Sequence, residues 1–546
     1  PTFPDGLDVE IFKFQELKKA YKNAKSNYDK EHVTPYIIKN KNIRKFNLKN
    51  KDDLSRLRVT LDEPKDFIVI KKVIEHFKNK PFFNLADLMK YYKKNKNIFL
   101  INKDIKRNEG GSLITGQKFW KRANNIIPGG TMLFSKNPDL FLPGKWPAYF
   151  SKAKGCKLWD LDNVLYNDIS FMGVGTNILG YCNPDIEKKV IQVIKSGNMS
   201  TLNSIEEILL AEKLISLHPW SEMARFTRSG GEANAVAIRI ARAASGRDKV
   251  AVCGYHGWHD WYLSSNIINT DSLNSHLMKN VPIDGVPKNL KNTVYPFEYN
   301  NYKQLKKIIE EHKIGTIKME VKRNSEPKNN FLKKVRKLAS QNNIVLIFDE
   351  CTSGFRQTYG GLHKFYNVEP DIAIFGKALG NGHAINAIIG RKSVMEYAQQ
   401  SFISSTFWTE RVGPTAAIET LKIMEQTKSW KQITSIGKKI KENWDNLAKL
   451  YKLDLKIQGV DALPNFYFNS KNNLEYKTLI TQEMLKKKVL ASNIIYCSIA
   501  HKEKVLNKYF DILDKSFDKI SKIEYEKKDI NDYLHSEICR SGMRNK

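Results

Sequence analysis

Between residues 249 and 390 five short apolar runs recur: KVAVCG (249–254), GTIKME (315–320), IVLIFDE (344–350), DIAIFG (371–376) and AINAIIG (384–390). Each has the length of a strand and is bounded by turn residues. Beside and between them lie segments of helical periodicity, among them GEANAVAIRIARAAS (231–245) and NNFLKKVRKLASQ (329–341). Short apolar strands alternating with helices, over about 155–395, predict a parallel α/β sheet with helices on its faces.

The chemistry-bearing residues fall at the ends of these runs. IVLIFDE closes on Asp349-Glu350, at the carboxyl rim where open α/β sheets bind ligands. An acid there can pair with a cationic ligand group such as a protonated pyridine nitrogen. Taken alone, it could equally cap a helix or bind Mg²⁺. Lys377 follows the next strand and a glycine, flanked by Gly380-Asn381-Gly382. Burial and nearby cations would make it a Schiff-base nucleophile, although a lone strand-end lysine is usually just solvated. An Asp and a Lys at two strand ends of one sheet match what a pyridoxal phosphate site requires. Ser229-Gly230-Gly231 opens a long helix whose first N–H groups and dipole would cradle a phosphate; the plain alternative is a tight turn. Tyr255 follows a strand and can stack on a planar ring, with His256 and His259 close by. As isolated residues these would be core or rim, and two histidines are too few for a metal site.

At 546 residues the chain is expected to hold two or three domains. Residues 1–110 read as a unit of their own, with helices at FQELKKAYKNA, DEPKDFIVIKKVIEHF and NLADLMKYYKKN, the last capped by Asn84. The polar RNEGGS (107–112) is a candidate linker, and residues 430–546 a smaller C-terminal subdomain. The net charge is +32, and residues 1–110 hold 26 Lys and Arg against 15 Asp and Glu. There is no aromatic-interleaved basic stripe and no arginine-rich arm. A solvated basic surface that attracts phosphorylated ligands therefore fits better than a nucleic-acid reader or basic scaffold. The six cysteines are scattered without metal-site spacing, as for buried thiols in a reducing cytoplasm. No apolar run reaches about 18 residues, so no membrane span is expected. The opening PTFPDGLDVE has neither signal-peptide character nor an initiator Met, as in a piece of a longer protein.

Taken together, residues 112–546 resemble the class III (fold type I) aminotransferases, and most closely the branch containing glutamate-1-semialdehyde aminomutase. The shared segments, in family order, are IIPGG, KGCKLWDLDNVLYNDIS, Ser229-Gly230-Gly231-Glu232-Ala233, Tyr255-His256-Gly257, FDECTSGFR, Pro370 through Gly382, and the closing CRSGMRNK. The resemblance implies a large mixed, mainly parallel sheet domain (111–546) with a smaller C-terminal α+β subdomain, and a homodimer with shared active sites. It implies pyridoxal 5′-phosphate as cofactor, with Lys377 as the Schiff-base lysine and proton carrier and Asp349 on the pyridine nitrogen. Tyr255 would stack on the ring, with His256 a lesser pocket candidate. Ser229, Gly230 and Gly231 would hold the phosphate, with Thr406 reaching it from the partner subunit. Glu320 stands where the family has the Glu of an EP motif, altered here to EVKRNSEP. The short substrate segment after PGG is replaced by TMLFSKNPDLFLPGKWPAYF. That departure favours an aminotransferase, moving an amino group from a donor to an aldehyde or ketone acceptor, over the heme-pathway mutase. A sugar dehydratase of the same fold would carry His where Lys377 stands.

Residues 1–110 resemble the C-terminal third of spore-coat-polysaccharide-type cytidylyltransferases, through FPDGLDVEIF, EHVTPYI, RVTLDEPKDF and INKDIKRNEG. The resemblance implies a partial α/β nucleotidyltransferase-like segment, with Asp62 as a remnant acid near that family's metal. The nucleotide-binding start of that fold is absent from the sequence, so independent cytidylyl transfer is not expected. The pairing implies surface-glycan or nucleotide-activated precursor metabolism by analogy.

Overall fold

The computed structural model describes residues 2–7, 9–24, 29, 34–40, 42–103, 115–276 and 281–542. The chain divides into two compact units, Pro1–Arg122 and Ala123–Lys546, and the division falls within the helix Thr115–Ile126. The candidate linker at 107–112 lies outside the described residues.

The first unit contains α1 (Phe14–Asn23), α2 (Pro35–Lys39), α3 (Pro64–His76), α4 (Leu85–Lys94) and α5 (Lys96–Phe99). α4 begins where the sequence predicts. Asn84 Oδ1 accepts from the Asp87 N–H at 3.1 Å, and Asp87 Oδ2 accepts from the Asn84 N–H at 3.2 Å, a reciprocal cap. Val69, Val73 and Leu88 bury an apolar face with Phe77, whose ring stacks on Phe83 at 4.1 Å. Under this cluster Arg58 is paired with Asp5 at 2.7 Å and Asp66 at 2.8 Å, and Asn102 donates to Asp66 at 2.8 Å.

That network corrects the expectation for Asp62. Its side chain is 69% exposed and reaches Arg58 only at 3.3 Å; the buried acid of LDEPKDF is Asp66. Among the described residues no group of His, Cys, Asp and Glu is arranged to hold a metal ion. Removing Asp66 would leave a buried guanidinium short of its main partner. Asp66→Ala is therefore expected to cost this unit about 3–5 kcal/mol, read as faster amide exchange in α3 and α4 with α-helices of the second unit unchanged.

The second unit is built on β4 (Met223–Thr227), β5 (Lys249–Cys253), β6 (Val294–Pro296), β7 (Ile314–Glu320), β8 (Val345–Glu350), β9 (Ile372–Phe375) and β10 (Asn386–Gly390), in the order β4-β10-β9-β8-β7-β5-β6. The pairs among β5 to β9 are parallel. β10 instead runs antiparallel to both β9 and β4. Only residues 376–385 join β9 to β10, too few for the helical crossover that a parallel return needs. The sheet is thus mixed and mainly parallel, as the resemblance implies.

One face of the sheet is covered by α6 (Gly230–Ser245), whose Ala233, Ala237 and Ala241 let it approach Val250, Val252, Ile347 and Ile374 closely. The opposite face packs on α7 (Tyr302–Glu311) and α8 (Phe331–Gln341) through Leu305, Phe331, Val335 and Met319. A second sheet joins β1 (Phe150–Lys154), β2 (Lys157–Asp160) and β3 (Leu165–Asp168) to β11 (Val489–Leu490), which lies parallel to β3. The C-terminal residues therefore complete a sheet begun more than 300 residues earlier. No helix among the described residues is long and apolar enough to cross a membrane.

Candidate active site

The carboxyl rim of the sheet brings the predicted residues together. Asp349 is the penultimate residue of β8, opposite Glu320 at the end of β7. It is 4% exposed, and its Oδ2 accepts from His256 Nδ1 at 2.9 Å while its Oδ1 accepts from the Cys351 N–H at 3.1 Å. Burial alone would raise its carboxyl; the Lys318 ammonium and the His256 hydrogen bond overcome that and hold it well below the usual carboxylate range. His256 is itself fully buried, and burial pushes its imidazole down to about 4. That disfavours the imidazolium; Nδ1 is placed to donate a hydrogen bond to Asp349, and Nε2 lies 3.2 Å from the Cys253 carbonyl oxygen. This corrects its assignment to the substrate pocket or cofactor surface: it is enclosed behind Asp349 and orients that carboxylate.

Lys377 leaves β9 through Gly376, where any Cβ would overlap Asn386 Oδ1. Its own φ of 43° is a strained left-handed value for a side-chain-bearing residue. Its Nζ donates to Thr352 Oγ1 at 3.0 Å, three residues beyond Asp349. Burial, then the Arg323 and Arg356 guanidinium groups, push its amine down to about 8. The helix entry lies alongside. A Cβ on Gly230 would stand 3.7 Å from Cys351 Sγ, and one on Gly376 3.5 Å from the same sulfur. Ser229 Oγ accepts from the Glu232 N–H at 3.3 Å, and Glu232 Oε2 accepts from the Ser229 N–H at 2.8 Å. The N–H groups of Gly230 and Gly231, in the first turn of α6, have no intrahelical carbonyl to meet.

Glu320 is buried and accepts from the Tyr255 N–H at 3.2 Å and from Arg323 Nη1 at 3.1 Å. Burial raises its carboxyl, with Arg323 opposing. Gly254 precedes Tyr255 at φ 109°, and a Cβ there would lie 2.6 Å from Glu320 Oε2. Only glycine fits that approach. Tyr255 is half-buried beside this pair, its ring edge-on to Tyr262 at 6.2 Å. Thr406 lies exposed at the start of the single turn Thr406–Thr409, and no side-chain bond joins it to Lys377 within the chain.

Four residues of the site were not singled out in the sequence: Lys318, Arg323, Thr352 and Arg356. Lys318 had a signal, as the only charge inside an otherwise apolar strand run that the fold buries on both faces. Thr352 and Arg356 lay within FDECTSGFR and Arg323 within EVKRNSEP, but loop direction decides where they point.

The chain's residues suit pyridoxal phosphate. The glycine turn opens the 16-residue helix α6 with free N–H groups, and buried His259 Nδ1, which has no partner, stands beside Gly231. A carboxylate that stays ionised and a partly neutral amine complete the donor set.

The class-III aminotransferase family profile matches residues 143–498. The chain belongs to the class-III aminotransferases. Enzymes of this family depend on pyridoxal phosphate, and this chain is a member. It is 33% identical over 380 residues to a 3-aminobutyryl-CoA aminotransferase of Cloacimonas acidaminovorans, covering 68% of this chain and 87% of that protein. It is 30% identical over 378 residues to a glutamate-1-semialdehyde 2,1-aminomutase of Methanosphaera stadtmanae, covering 67% and 86%. In fold it resembles the FumI protein of Sphingopyxis sp. MTA144 (TM-score 0.67, 23% identity, 75% and 97% covered) and an omega-transaminase from Sphaerobacter thermophilus (TM-score 0.67, 20% identity, 76% and 99% covered).

Proposed function

We propose that this class-III enzyme transfers an amino group from an amine donor to an aldehyde or ketone acceptor, with Lys377 and Asp349 as its catalytic residues. The observation that carries the reading is the partly neutral Lys377 amine at one strand end and an ionised Asp349 at the neighbouring one. Pyridoxal phosphate, when bound, supplies a conjugated ring that accepts the electrons released at the substrate carbon. Asp349, oriented by His256, would hold a proton on the ring nitrogen. Lys377 Nζ would tether the cofactor carbonyl and, once displaced by substrate, carry the proton between substrate carbon and cofactor. The N–H groups of Gly230 and Gly231, with Ser229, would take the phosphate. Tyr255 would cover one ring face, and Glu320 with Arg323 would border the substrate side.

Because its amine sits near 8, roughly one Lys377 in ten is neutral at pH 7, against about one in three thousand for an ordinary lysine. Protonation removes the nucleophile. Covalent uptake of pyridoxal phosphate by the apoprotein, trapped by borohydride, is therefore expected to rise about tenfold from pH 6 to 7 and to level off above 8.

A second copy of the chain completes the reading. Leu202, Ile205, Ile208, Leu209, Phe402 and Phe407 are exposed on the helix Ile205–Leu217, its approach, and the segment around Thr406. Arg411 ties these together by its 2.7 Å pair with Glu206. Apolar side chains in this number suit a homodimer, from which Thr406 would reach the partner's phosphate site. Sedimentation is expected to give twice 63.0 kDa. The unpaired state of all six cysteines supports a reducing, cytoplasmic setting. The resemblance of residues 1–110 to cytidylyltransferases supports acceptors from surface-glycan or nucleotide-activated precursor synthesis, with no nucleotidyl transfer by that unit.

A half-reaction screen tests the function. Amino acids, aminated sugars and amines are offered one at a time, and loss of the visible cofactor band is followed. Bleaching by a donor, reversed by a separate carbonyl compound, is the expected result. Conversion of a single amino-aldehyde with no second substrate would instead establish the aminomutase reaction of the 30% identical relatives.

A further inference from the structure

Lys318 stands inside β7, between two apolar neighbours on the adjoining strands. In register it is flanked by Val252 of β5 and Ile347 of β8, on the face that packs against Ala233, Val236, Ala237 and Ile240 of α6. It is 0% exposed, and its Nζ has no hydrogen-bond partner. The nearest acid oxygen is Asp349 Oδ2 at 3.7 Å, beyond hydrogen-bond reach. The other titratable groups facing this space are Cys351, Glu320 and His256, the last on the same Asp349 oxygen. Burial pushes the Lys318 amine down, and the Asp349 carboxylate opposes that by favouring the charged form; a buried ammonium held by one carboxylate is often no more stable than an apolar side chain of the same volume. Packing therefore gives no account of Lys318; its place beside Asp349 does.

Resting on the reading that Asp349 meets the cofactor's ring nitrogen, we propose that Lys318 is a positioning residue that offsets the Asp349 charge and lowers the proton affinity of that nitrogen. Asp349 accepts hydrogen bonds from His256 Nδ1 and the Cys351 N–H, faces the Lys318 ammonium at 3.7 Å, and would accept the ring N–H. The carboxylate's single charge would then be divided between two cations, Lys318 and the ring. A ring proton facing a carboxylate already offset by an ammonium is held less tightly than one facing a lone Asp. A unit charge acting across a hydrogen-bonded carboxylate, in a medium of effective dielectric near 20, shifts a pKa by about two units. The ring would lose its proton two pH units earlier in this enzyme than in the same site without Lys318.

The test uses the full chain loaded with pyridoxal phosphate labelled with ¹⁵N in the ring. The ¹⁵N chemical shift, which differs between the protonated and bare nitrogen, is titrated in wild type, Lys318→Met and Lys318→Arg. The expected result is a ring pKa about two units higher in K318M, and a wild-type value in K318R, which keeps the charge. Lys318→Gln, polar and uncharged, is expected to follow K318M, so the result survives if K318M does not fold. Titrations that coincide in wild type and both uncharged variants would overturn the proposal. So would a shift in K318R as large as in K318M, because volume rather than charge would then be responsible. Failure of wild type itself to take up the labelled cofactor would instead strike the site assignment on which the proposal rests, and is seen before any titration begins.

Discussion

Lys377→Ala is expected to abolish turnover, with kcat at least about 10³-fold below wild type and no visible band attributable to covalently held cofactor. Two losses coincide at one atom. The variant has no amine to tether the cofactor carbonyl, and no group within reach of the substrate carbon to move its proton. The neighbours cannot substitute. Thr352 Oγ1, 3.0 Å from Nζ, is an alcohol and not an amine, and Arg323 and Arg356 stay charged in this range. Non-covalent retention of the cofactor by the glycine turn at Ser229–Gly231 should persist. Equilibrium dialysis is thus expected to show weakened binding while borohydride trapping shows none. A variant that still incorporates label covalently at one equivalent per chain would mean another lysine is the tether, and Lys318 would be the first to examine.

Asp349→Asn is the second large effect, and it is a stability effect as well as a catalytic one. Among the described residues the carboxylate is the only acid group with an oxygen within 4 Å of the buried Lys318 ammonium, and it accepts a hydrogen bond from His256 Nδ1. Neutralising it strands a fully enclosed cation, a loss of about 3–5 kcal/mol. Urea unfolding of the apoprotein, followed by tryptophan fluorescence, should show a lower midpoint for the second unit. Pairing Asp349→Asn with Lys318→Met removes the stranded charge, and the double variant should regain most of the loss. Such non-additivity is expected of two residues in direct electrostatic contact. Catalysis should not return, because the ring nitrogen still lacks its carboxylate. A double variant no more stable than D349N would show that Lys318 is not held by Asp349.

The placement of Asp349, Lys377 and the Ser229-Gly230-Gly231 turn was legible in the sequence because it is local. An acid that ends an apolar run, a lysine one glycine past the next, and small residues that open a helix each carry their placement with them. Parallel strands end on one rim, so strand ends distant in sequence become neighbours without further information. The capped start of α4 at Asn84 was legible for the same reason: both partners of the cap lie within four residues.

Other features depended on partners far along the chain. His256 follows Tyr255 in a turn, and only the folded turn shows that it points behind Asp349 and not toward substrate. Asp62 and Asp66 sit four residues apart in LDEPKDF. Which one is buried was settled by Arg58, itself fixed by Asp5 from 53 residues away. The direction of β10 followed from the shortness of its connection, and the partner of β3 from β11 near the other end of the chain.

By itself the sequence determined the sheet's strands, the glycine-led helix beside their rim and the two residues at the strand ends, because short-range patterning specifies each of them. The tertiary structure alone decided the electrostatics at Asp349. A lysine's charge matters only through the distance to its neighbours and the water excluded around them, and Lys318 acquires both only when β7 is laid beside β8 and roofed by α6.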